Sequence, residues 1–201
     1  MTDDTTPDQP SGVVYLARHG RTALNADGRL RGHLDPPLDE VGAHEALRLA
    51  HALGRRGLSK VIASPLQRAT DTAHAIAAEA GLEASSDVRL MDRDYGQWAG
   101  ERLQDVRERW GDVDAAPGVE TLPSVEQRVR SLLDEVARSL TEGPVVLVAH
   151  DAVNRILLAS LDADLGDPDG IPQRTACWNE LVLTPQGWSV TRIDQKDEPA
   201  S

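Results

Sequence analysis

Short apolar runs that alternate with helical stretches are the feature that most constrains the fold of this chain. Residues 13–17, 60–64 and 145–149 are mostly Val, Ile, Leu and Ala, without the polar alternation of a half-exposed strand. This pattern is typical of strands buried on both faces of a parallel sheet. Strands that alternate with helices form βαβ units. The sequence therefore predicts an α/β fold, a three-layer α/β/α sandwich with a mostly parallel central sheet.

The remaining elements follow from apolar residues that share one face and from turn and cap signals. One helix shows a Ser-Val-Glu-Gln sequence from Ser124, which is typical of a capping box. Two antiparallel strands joined by Pro185-Gln-Gly187 are expected at one edge of the sheet. The predicted helices lie at 41–56, between Pro65 and Ala80, from Ser124 to about Leu140 and after His150, and the antiparallel strands lie near 180–184 and 188–193.

The chain is predicted to form one domain over residues 12–194. Residues 1–11 are acidic and are expected to be a disordered tail, as are residues 195–201. The segment at about 85–120 interrupts the strand–helix alternation and contains Tyr95, Trp98 and Trp110. We expect this excursion to pack through its aromatic residues and to cap the active site at one end of the sheet.

The composition excludes several classes of protein. The formal net charge of −12 argues against a surface that binds nucleic acid or anionic lipid, because such a surface needs clustered basic residues. The single cysteine, Cys177, excludes a disulfide within the chain, and no apolar run reaches the roughly 20 residues of a membrane span. A cytoplasmic protein without nucleic-acid or membrane partners is therefore expected.

Polar residues follow each of the three predicted parallel strands. Arg18-His19-Gly20 follows the first, Ser64-Pro65-Leu66-Gln67-Arg68 follows the second, and His150-Asp151 follows the third. Ligands of open α/β sheets bind beyond the carboxyl ends of the strands. Two histidines and two arginines from distant parts of the chain are thus expected to meet at one edge of the sheet.

These residue types suit the binding and transfer of a phosphoryl group. Arginine guanidiniums match phosphate oxygens in a bidentate geometry, and a glycine such as Gly20 lets the backbone approach a ligand closely. A neutral imidazole whose other nitrogen is fixed by a hydrogen bond can attack phosphorus. The arginines and the second histidine would supply positive charge, so neither a metal nor another cofactor is predicted.

The same motifs resemble the histidine phosphatase superfamily, in the branch of the phosphoglycerate mutases and broad-specificity phosphatases. The resemblance covers about residues 13–193 in family order. It rests on the segments Arg18-His19-Gly20-Arg-Thr-Ala-Leu-Asn25, Gly28-Arg-Leu-Arg-Gly32, Ser64-Pro65-Leu66-Gln67-Arg68 and Val148-Ala149-His150. It implies a phosphoglycerate mutase-like fold and a phosphatase that hydrolyses a small-molecule phosphate monoester through a phosphohistidine.

The resemblance also implies a role for each matching residue. His19 is expected to be the nucleophile, and Arg18 and Arg68 are expected to bind the phosphoryl oxygens. His150 is expected to hydrogen-bond the same group, and Asn25 is a further candidate for a phosphate contact. Water would then release phosphate from His19 in a second step. Within the same segments, Arg21 and Arg31 are either substrate contacts or surface charges. Glu120, outside them, is a residue that could orient part of the site.

Two positions depart from the family pattern, and each supplies a candidate proton donor. Asp92 stands where the branch usually has Glu, before Tyr95-Gly-Gln-Trp98. Asp151 follows His150 where a small residue is usual, which resembles the acid-phosphatase branch, in which the Asp is the proton donor. We favour Asp92, because the surrounding motif is intact. Asp151 also fits the N-cap of the helix that follows.

Two other functions fit the same motifs. A cofactor-dependent phosphoglycerate mutase would use the same phosphohistidine, although such enzymes tend to have longer insertions and a Glu at the position of Asp92. A phosphate-binding module with a decayed catalytic site is the second alternative. The sequence shows no motif for a particular substrate and none for an oligomeric state.

Overall fold

The computed structural model describes residues 12–196, and a mixed β-sheet lies at the centre of this region. The order of its strands is β3-β2-β4-β1-β5-β6. Strands β3, β2, β4 and β1 are parallel to one another, whereas β5 pairs antiparallel with both β1 and β6 at one edge. The strands are β1 (Gly12–Arg18), β2 (Lys60–Ala63), β3 (Ala84–Ser86), β4 (Val145–Ala149), β5 (Trp178–Thr184) and β6 (Gly187–Gln195).

Helices cover both faces of the sheet and complete the predicted three-layer sandwich. Helices α2 and α3 pack on one face, and α5 and α6 pack on the other. No helix within residues 12–196 is long and apolar enough to cross a membrane. The helices are α1 (Ala23–Ala26), α2 (Glu40–Gly54), α3 (Gln67–Ala80), α4 (Leu103–Trp110), α5 (Leu122–Ala137) and α6 (Asp151–Leu161).

The continuous apolar runs in the sequence reflect burial of the central strands on both faces. In β1, Val14 and Leu16 pack against α5 and α6, whereas Tyr15 and Ala17 pack against α2 and α3. All five residues of β4 are fully buried. Because successive side chains of a strand point to opposite faces, each strand serves both apolar cores.

Several element boundaries differ from the prediction by one to three residues, and two of them correct a specific expectation. Helix α5 begins at Leu122 instead of Ser124, and the side chain of Thr121 accepts a hydrogen bond from the amide of Ser124 as its N-cap. The predicted capping box at Ser124 is therefore wrong. The helix can begin before Pro123, because a proline in the first turn lacks only an N–H that would have no partner within the helix. Strand β6 reaches Gln195, so this residue belongs to the fold and not to the predicted C-terminal tail.

The tail predictions otherwise concern residues outside the described range. Residues 1–11 and 197–201 are not described, whereas Lys196 forms an ion pair with Glu45 of α2 at 3.0 Å. This ion pair attaches a residue to α2 that lies two positions beyond the predicted boundary at 194.

The excursion at 85–120 has its own small apolar cluster next to the loop that follows α1. Tyr95 and Trp98 are buried in it, and the rings of Trp98 and Trp110 meet edge to face at 5.7 Å. Leu30 exchanges backbone hydrogen bonds with this segment, donating to Glu101 and accepting from Gly100. This attachment places the excursion beside the residues that follow β1.

Two glycines fix the backbone after β1 against the start of α2. A Cβ atom on Gly20 would lie 2.4 Å from the carbonyl oxygen of Gly42, and a Cβ on Gly42 would lie 1.9 Å from the carbonyl oxygen of Arg21. Gly20 is therefore required for close packing between the loop and the helix, which differs from the close approach to a ligand that we predicted. This packing fixes the backbone next to His19.

We expect Gly42→Ala to lower the free energy of unfolding by about 3 kcal/mol, because a methyl group added to a tight contact forces the backbone apart. Gly170→Ala is the matched control, since nothing lies within 4 Å of the added methyl group there. Urea denaturation of both variants and the wild type measures the difference. Equal stability of the two variants would contradict the argument.

Candidate active site

Parallel pairing of β1 and β4 places two histidines side by side. Arg18 is paired with Ala149 in the register of these strands, and the amide of His19 donates to the carbonyl of Ala149 at 3.1 Å. His19 directly follows β1, and His150 directly follows β4. Their ring centroids are therefore only 5.0 Å apart. Both side chains are fully buried.

Arg68 and Asp92 complete the buried part of the site. A guanidinium nitrogen of Arg68, Nη2, lies 3.1 Å from Oδ2 of Asp92, and Nδ1 of His150 lies 3.9 Å from the same oxygen. The Arg68 guanidinium also donates to the carbonyls of Gly32 and Leu34. These bonds fix its orientation. The structure thus brings together the side chains that the sequence predicted to converge.

One hydrogen bond determines the tautomer of His19. Its Nδ1 lies 2.6 Å from the carbonyl oxygen of Gly20. A carbonyl oxygen only accepts, so Nδ1 carries the proton, and Nε2 is the unprotonated nitrogen of the neutral ring. Among the described residues, this buried Nε2 has no hydrogen-bond partner. Its lone pair is available to an electrophile that enters the site.

The site contains several other buried polar atoms without a partner among residues 12–196. Buried polar groups are paired in the great majority of cases, so such a concentration indicates a ligand site. Guanidinium and amide N–H groups are donors, and their excess suits an anion with several oxygens. The atoms are Nε of Arg18, Arg31 and Arg68, Nδ2 of Asn25, and both ring nitrogens of His150.

Asp151 contacts two arginines at the edge of this site. Its Oδ1 accepts a hydrogen bond from Arg31 at 2.7 Å, and its Oδ2 lies 3.6 Å from Nη2 of Arg18. The N-cap position of α6 belongs to His150, and Asp151 is the first helical residue. The interpretation of Asp151 as an N-cap is therefore wrong, since the nearby guanidiniums take its side chain.

Arg31 is the residue whose importance the sequence understates. Its position within Gly28-Arg-Leu-Arg-Gly32 indicated only a possible substrate contact. In the structure the residue is buried, 8% exposed, and its side chain is paired with Asp151. The only indication of its role in the sequence was its position between Gly28 and Gly32 of the motif. Its pairing depends on a contact with a residue 120 positions away.

The surroundings keep both histidines neutral. Burial lowers the pKa of His19 well below its usual value, and the nearby Arg68 and Arg18 guanidiniums lower it further. Burial likewise lowers the pKa of His150, with further contributions from Arg68 and His19. A neutral imidazole is the form with a free lone pair, so Nε2 of His19 stays unprotonated across the neutral range.

The pKa values of Asp92 and Asp151 are shifted in opposite directions. Burial raises the pKa of Asp92, and the opposing effect of Arg31 and Arg68 does not cancel it. Burial also acts to raise the pKa of Asp151, but Arg18 and Arg31 outweigh it and hold that pKa far below the usual range. Asp92 is thus the carboxyl that can hold a proton, while Asp151 stays ionised.

A second ion pair holds the segment that contains Asp92. Arg128 of α5 donates to the carbonyls of Arg89 and Met91, each at 2.7 Å, and to that of Asp92 at 3.3 Å. The Arg128 guanidinium is in turn paired with Glu120 at 3.0 Å. Glu120 therefore orients this backbone, as the sequence suggested, through Arg128.

A cavity of about 800 Å³ opens beside the buried histidines. Arg18, Asn25, Arg31 and Asp151 line it. Seven arginines and five aspartates line the cavity altogether, so it is more positive than the chain as a whole, whose net charge is −12. Within residues 12–196, no group of three or more His, Cys, Asp or Glu side chains is arranged to bind a metal ion. The other charged lining residues are Arg21, Arg29, Arg93, Arg107, Arg155, Asp112, Asp114, Asp167 and Asp169.

Comparison with known proteins agrees with this geometry. The profile of the histidine phosphatase superfamily (branch 1) matches residues 14–196. The chain belongs to this superfamily. The predictions of the family, of the phosphoglycerate mutase-like fold and of a phosphatase of this type are therefore confirmed.

Individual relatives differ in the substrates that their names give. Phosphoserine phosphatase 1 of Hydrogenobacter thermophilus is 35% identical over 158 residues, which cover 74% of this chain and 75% of that protein. The probable phosphoglycerate mutase GpmB of Escherichia coli is 30% identical over 195 residues, covering 92% and 85%. The structure of mycobacterial glucosyl-3-phosphoglycerate phosphatase with VO3 aligns with a TM-score of 0.78 and 29% identity, covering 91% of this chain and 98% of that one.

The depressed histidine pKa values predict that the protein loses stability in mild acid. Below pH 6.5 the unfolded chain binds protons that folded His19 and His150 do not, so each lowers the free energy of unfolding by up to about 1.4 kcal/mol per pH unit. This loss continues until the pH reaches the folded pKa. We expect the double variant His19→Gln/His150→Gln to lose less stability than the wild type between pH 7 and pH 5.

Urea denaturation at several pH values measures this difference. His44→Gln, at an exposed position on α2, is the control and should follow the wild type. The assignment of buried neutral imidazoles would be wrong if the double variant and the wild type lost stability in parallel.

Proposed function

We propose that the protein hydrolyses a small-molecule phosphate monoester through a covalent phosphohistidine on His19. The observation that carries this proposal is the unprotonated, unpartnered Nε2 of His19, which lies in a buried site rich in arginine donors. Position and positive charge are the main requirements of phosphoryl transfer. Arg18, Arg31, Arg68 and His150 supply donors for the phosphoryl oxygens without a metal ion.

The reaction consists of two transfers. In the first, Nε2 of His19 attacks phosphorus, the bond from phosphorus to the ester oxygen breaks, and the leaving oxygen takes a proton from Asp92. In the second, a water molecule attacks the phosphohistidine, Asp92 takes the proton from that water, and the N–P bond breaks to release inorganic phosphate. His19 and Asp92 thereby return to their starting protonation states.

Asp92 suits the role of proton donor better than Asp151. A general acid must hold its proton near the working pH, and burial raises the pKa of Asp92 in that direction. Asp151 is held ionised by two guanidiniums and has no proton to give. Arg128 and Glu120 fix the backbone beside Asp92, whose side chain is one methylene shorter than that of the usual Glu.

The substrate is proposed to be larger than a simple alkyl phosphate. The volume of the cavity beside the site is within the range of sites for drug-sized ligands. Its walls carry both arginines and aspartates, which can bind a polar leaving group. The named activities of the relatives, on phosphoserine and on glucosyl-3-phosphoglycerate, support a polar or anionic organic group. The match to a probable phosphoglycerate mutase over 92% of the chain favours mutase activity as the second candidate.

We expect His19→Ala to lose at least about a thousandfold in kcat on an aryl phosphate, because the covalent step is then impossible. The assay includes EDTA, since the proposed mechanism needs no metal. Rapid quenching of the wild type in base should trap a phosphorylated protein that is absent in His19→Ala. The exposed His51 gives the matched control, and His51→Ala should retain activity.

Three results would count against this mechanism. Full activity of His19→Ala excludes the nucleophile, and complete loss of wild-type activity in EDTA excludes the metal-independent route. Interconversion of phosphoglycerates that exceeds hydrolysis, with bisphosphoglycerate added, would favour the mutase.

Proton donation by Asp92 is tested by the leaving group. We expect Asp92→Asn to lower kcat/KM about a hundredfold on an alkyl phosphate and much less on a nitrophenyl phosphate, whose leaving oxygen needs no proton. Asp92→Glu, which restores the usual family residue, should recover part of the loss. Asp151→Asn should not change the ratio of the two rates. The reverse pattern, with the ratio altered only in Asp151→Asn, would assign the proton donor to Asp151.

A further inference from the structure

A line of three charged side chains separates the cavity from the nucleophile. Arg18, Asp151 and Arg31 all line the cavity and are joined to one another by ion pairs. His19 and His150 do not line the cavity and are fully buried. A substrate that enters through the cavity therefore meets the paired arginines before it reaches Nε2 of His19.

The side chain of Asp151 has the interactions of an anion bound at this position. It contacts Arg31 at 2.7 Å, Arg18 at 3.6 Å and the amide N–H of Ala152 at 2.9 Å. That amide belongs to the first turn of α6, where orphan N–H groups and the helix dipole favour negative charge. Guanidiniums combined with a helix N-terminus would also suit an oxygen of a phosphoryl group.

Asp151 already engages one nitrogen of each arginine. Nη2 of Arg31 and Nη2 of Arg18 face the Asp151 carboxylate, whereas Nε of each guanidinium has no partner among the described residues. Bidentate binding of a phosphoryl group uses two N–H groups on one side of a guanidinium, such as Nε together with one Nη. A phosphoryl group bound to Nε and Nη2 would therefore compete with the carboxylate for Nη2 of each arginine.

We propose that Asp151 is a positioning residue that competes with the phosphoryl group for Arg18 and Arg31. The carboxylate holds both guanidiniums across the path to His19 while the site is empty. A phosphoryl group displaces it on binding, and the carboxylate returns when phosphate leaves. This inference rests on the proposed function only in its assumption that the anion is a phosphoryl group.

The competition has a measurable effect on affinity. When a protein binds its ligand only in a minor state, the apparent dissociation constant rises by the inverse of the fraction in that state. If Arg18 and Arg31 are mostly paired with Asp151, the state in which they are free to bind a phosphoryl group is such a minor state. The benefit is faster release of product, because inorganic phosphate carries the same group that the arginines recognise in the substrate.

The test is the binding of inorganic phosphate to Asp151→Asn, measured by calorimetry without any turnover. Asparagine keeps the size of the side chain and removes its charge. We expect the dissociation constant of phosphate to fall about tenfold. This is the change that follows if the state with Asp151 paired to the arginines is about ten times more populated than the state with free arginines, and the substitution removes that preference. The Ki of phosphate and the KM of an aryl phosphate should fall with it. Asp151→Glu, which restores the carboxylate, should return these constants toward the wild-type values.

Asp87→Asn is the matched control. The side chain of Asp87 has a similar exposure to that of Asp151, 18% against 24%, and it too forms an ion pair with an arginine and accepts a backbone N–H. Asp87→Asn changes the net charge by the same amount as Asp151→Asn, and Asp87 does not contact Arg18 or Arg31. Its phosphate affinity should stay within about twofold of the wild type, since distant charges are screened.

Each outcome separates this inference from the proposed function. Unchanged or weaker phosphate binding in Asp151→Asn would overturn the competition, even if the wild type is an active phosphatase. Tighter binding in Asp151→Asn and Asp87→Asn alike would also overturn it, because the cause would then be net charge. Tighter binding in Asp151→Asn alone supports the inference even if no ester is hydrolysed. If Asp151→Asn does not fold, Asp151→Ser takes the same measurements.

Discussion

The pairing of β1 with β4 is the interaction on which the rest of the site depends. Its parallel register sets His19 beside His150, and no local feature of either segment could place the rings 5.0 Å apart. The register is strongly fixed, because both strands are buried on both faces and a slip of one residue would reverse every side chain. The geometry of the candidate site is thus a consequence of packing in the two apolar cores.

The site concentrates positive charge in a protein whose net charge is strongly negative. Burying Arg18, Arg31 and Arg68 is costly unless their N–H groups have partners. Asp151 forms ion pairs with Arg18 and Arg31, whereas Arg68 donates hydrogen bonds to Asp92 and to two backbone carbonyls. The pairing is incomplete, since one Nε–H of each arginine lacks a partner among the described residues. Unsatisfied buried donors reduce stability, and a phosphoryl group would satisfy them. Stability of the empty site is exchanged for affinity toward the ligand.

The sequence predicted the sandwich and the convergence of His19, Arg68 and His150, because both follow from apolar runs and from where each run ends. The start of α5 was missed because Thr121 and Ser124 are both good caps, and the choice depends on how Pro123 fits the first turn. The packing of Gly20 against Gly42 could not be predicted, since it depends on how closely two distant backbones approach. Long-range contacts of this kind leave no local pattern in a single sequence.

Asp92 and Asp151 show why residue type alone does not assign a catalytic role. Both are aspartates near the same arginines, and the sequence left both as possible proton donors. Burial dominates at Asp92, which shares Arg68 with two carbonyl oxygens, so its pKa rises. At Asp151 two guanidiniums and a helix N-terminus outweigh burial, so its pKa falls. The same carboxyl group is therefore fitted to hold a proton at one position and to hold arginines at the other.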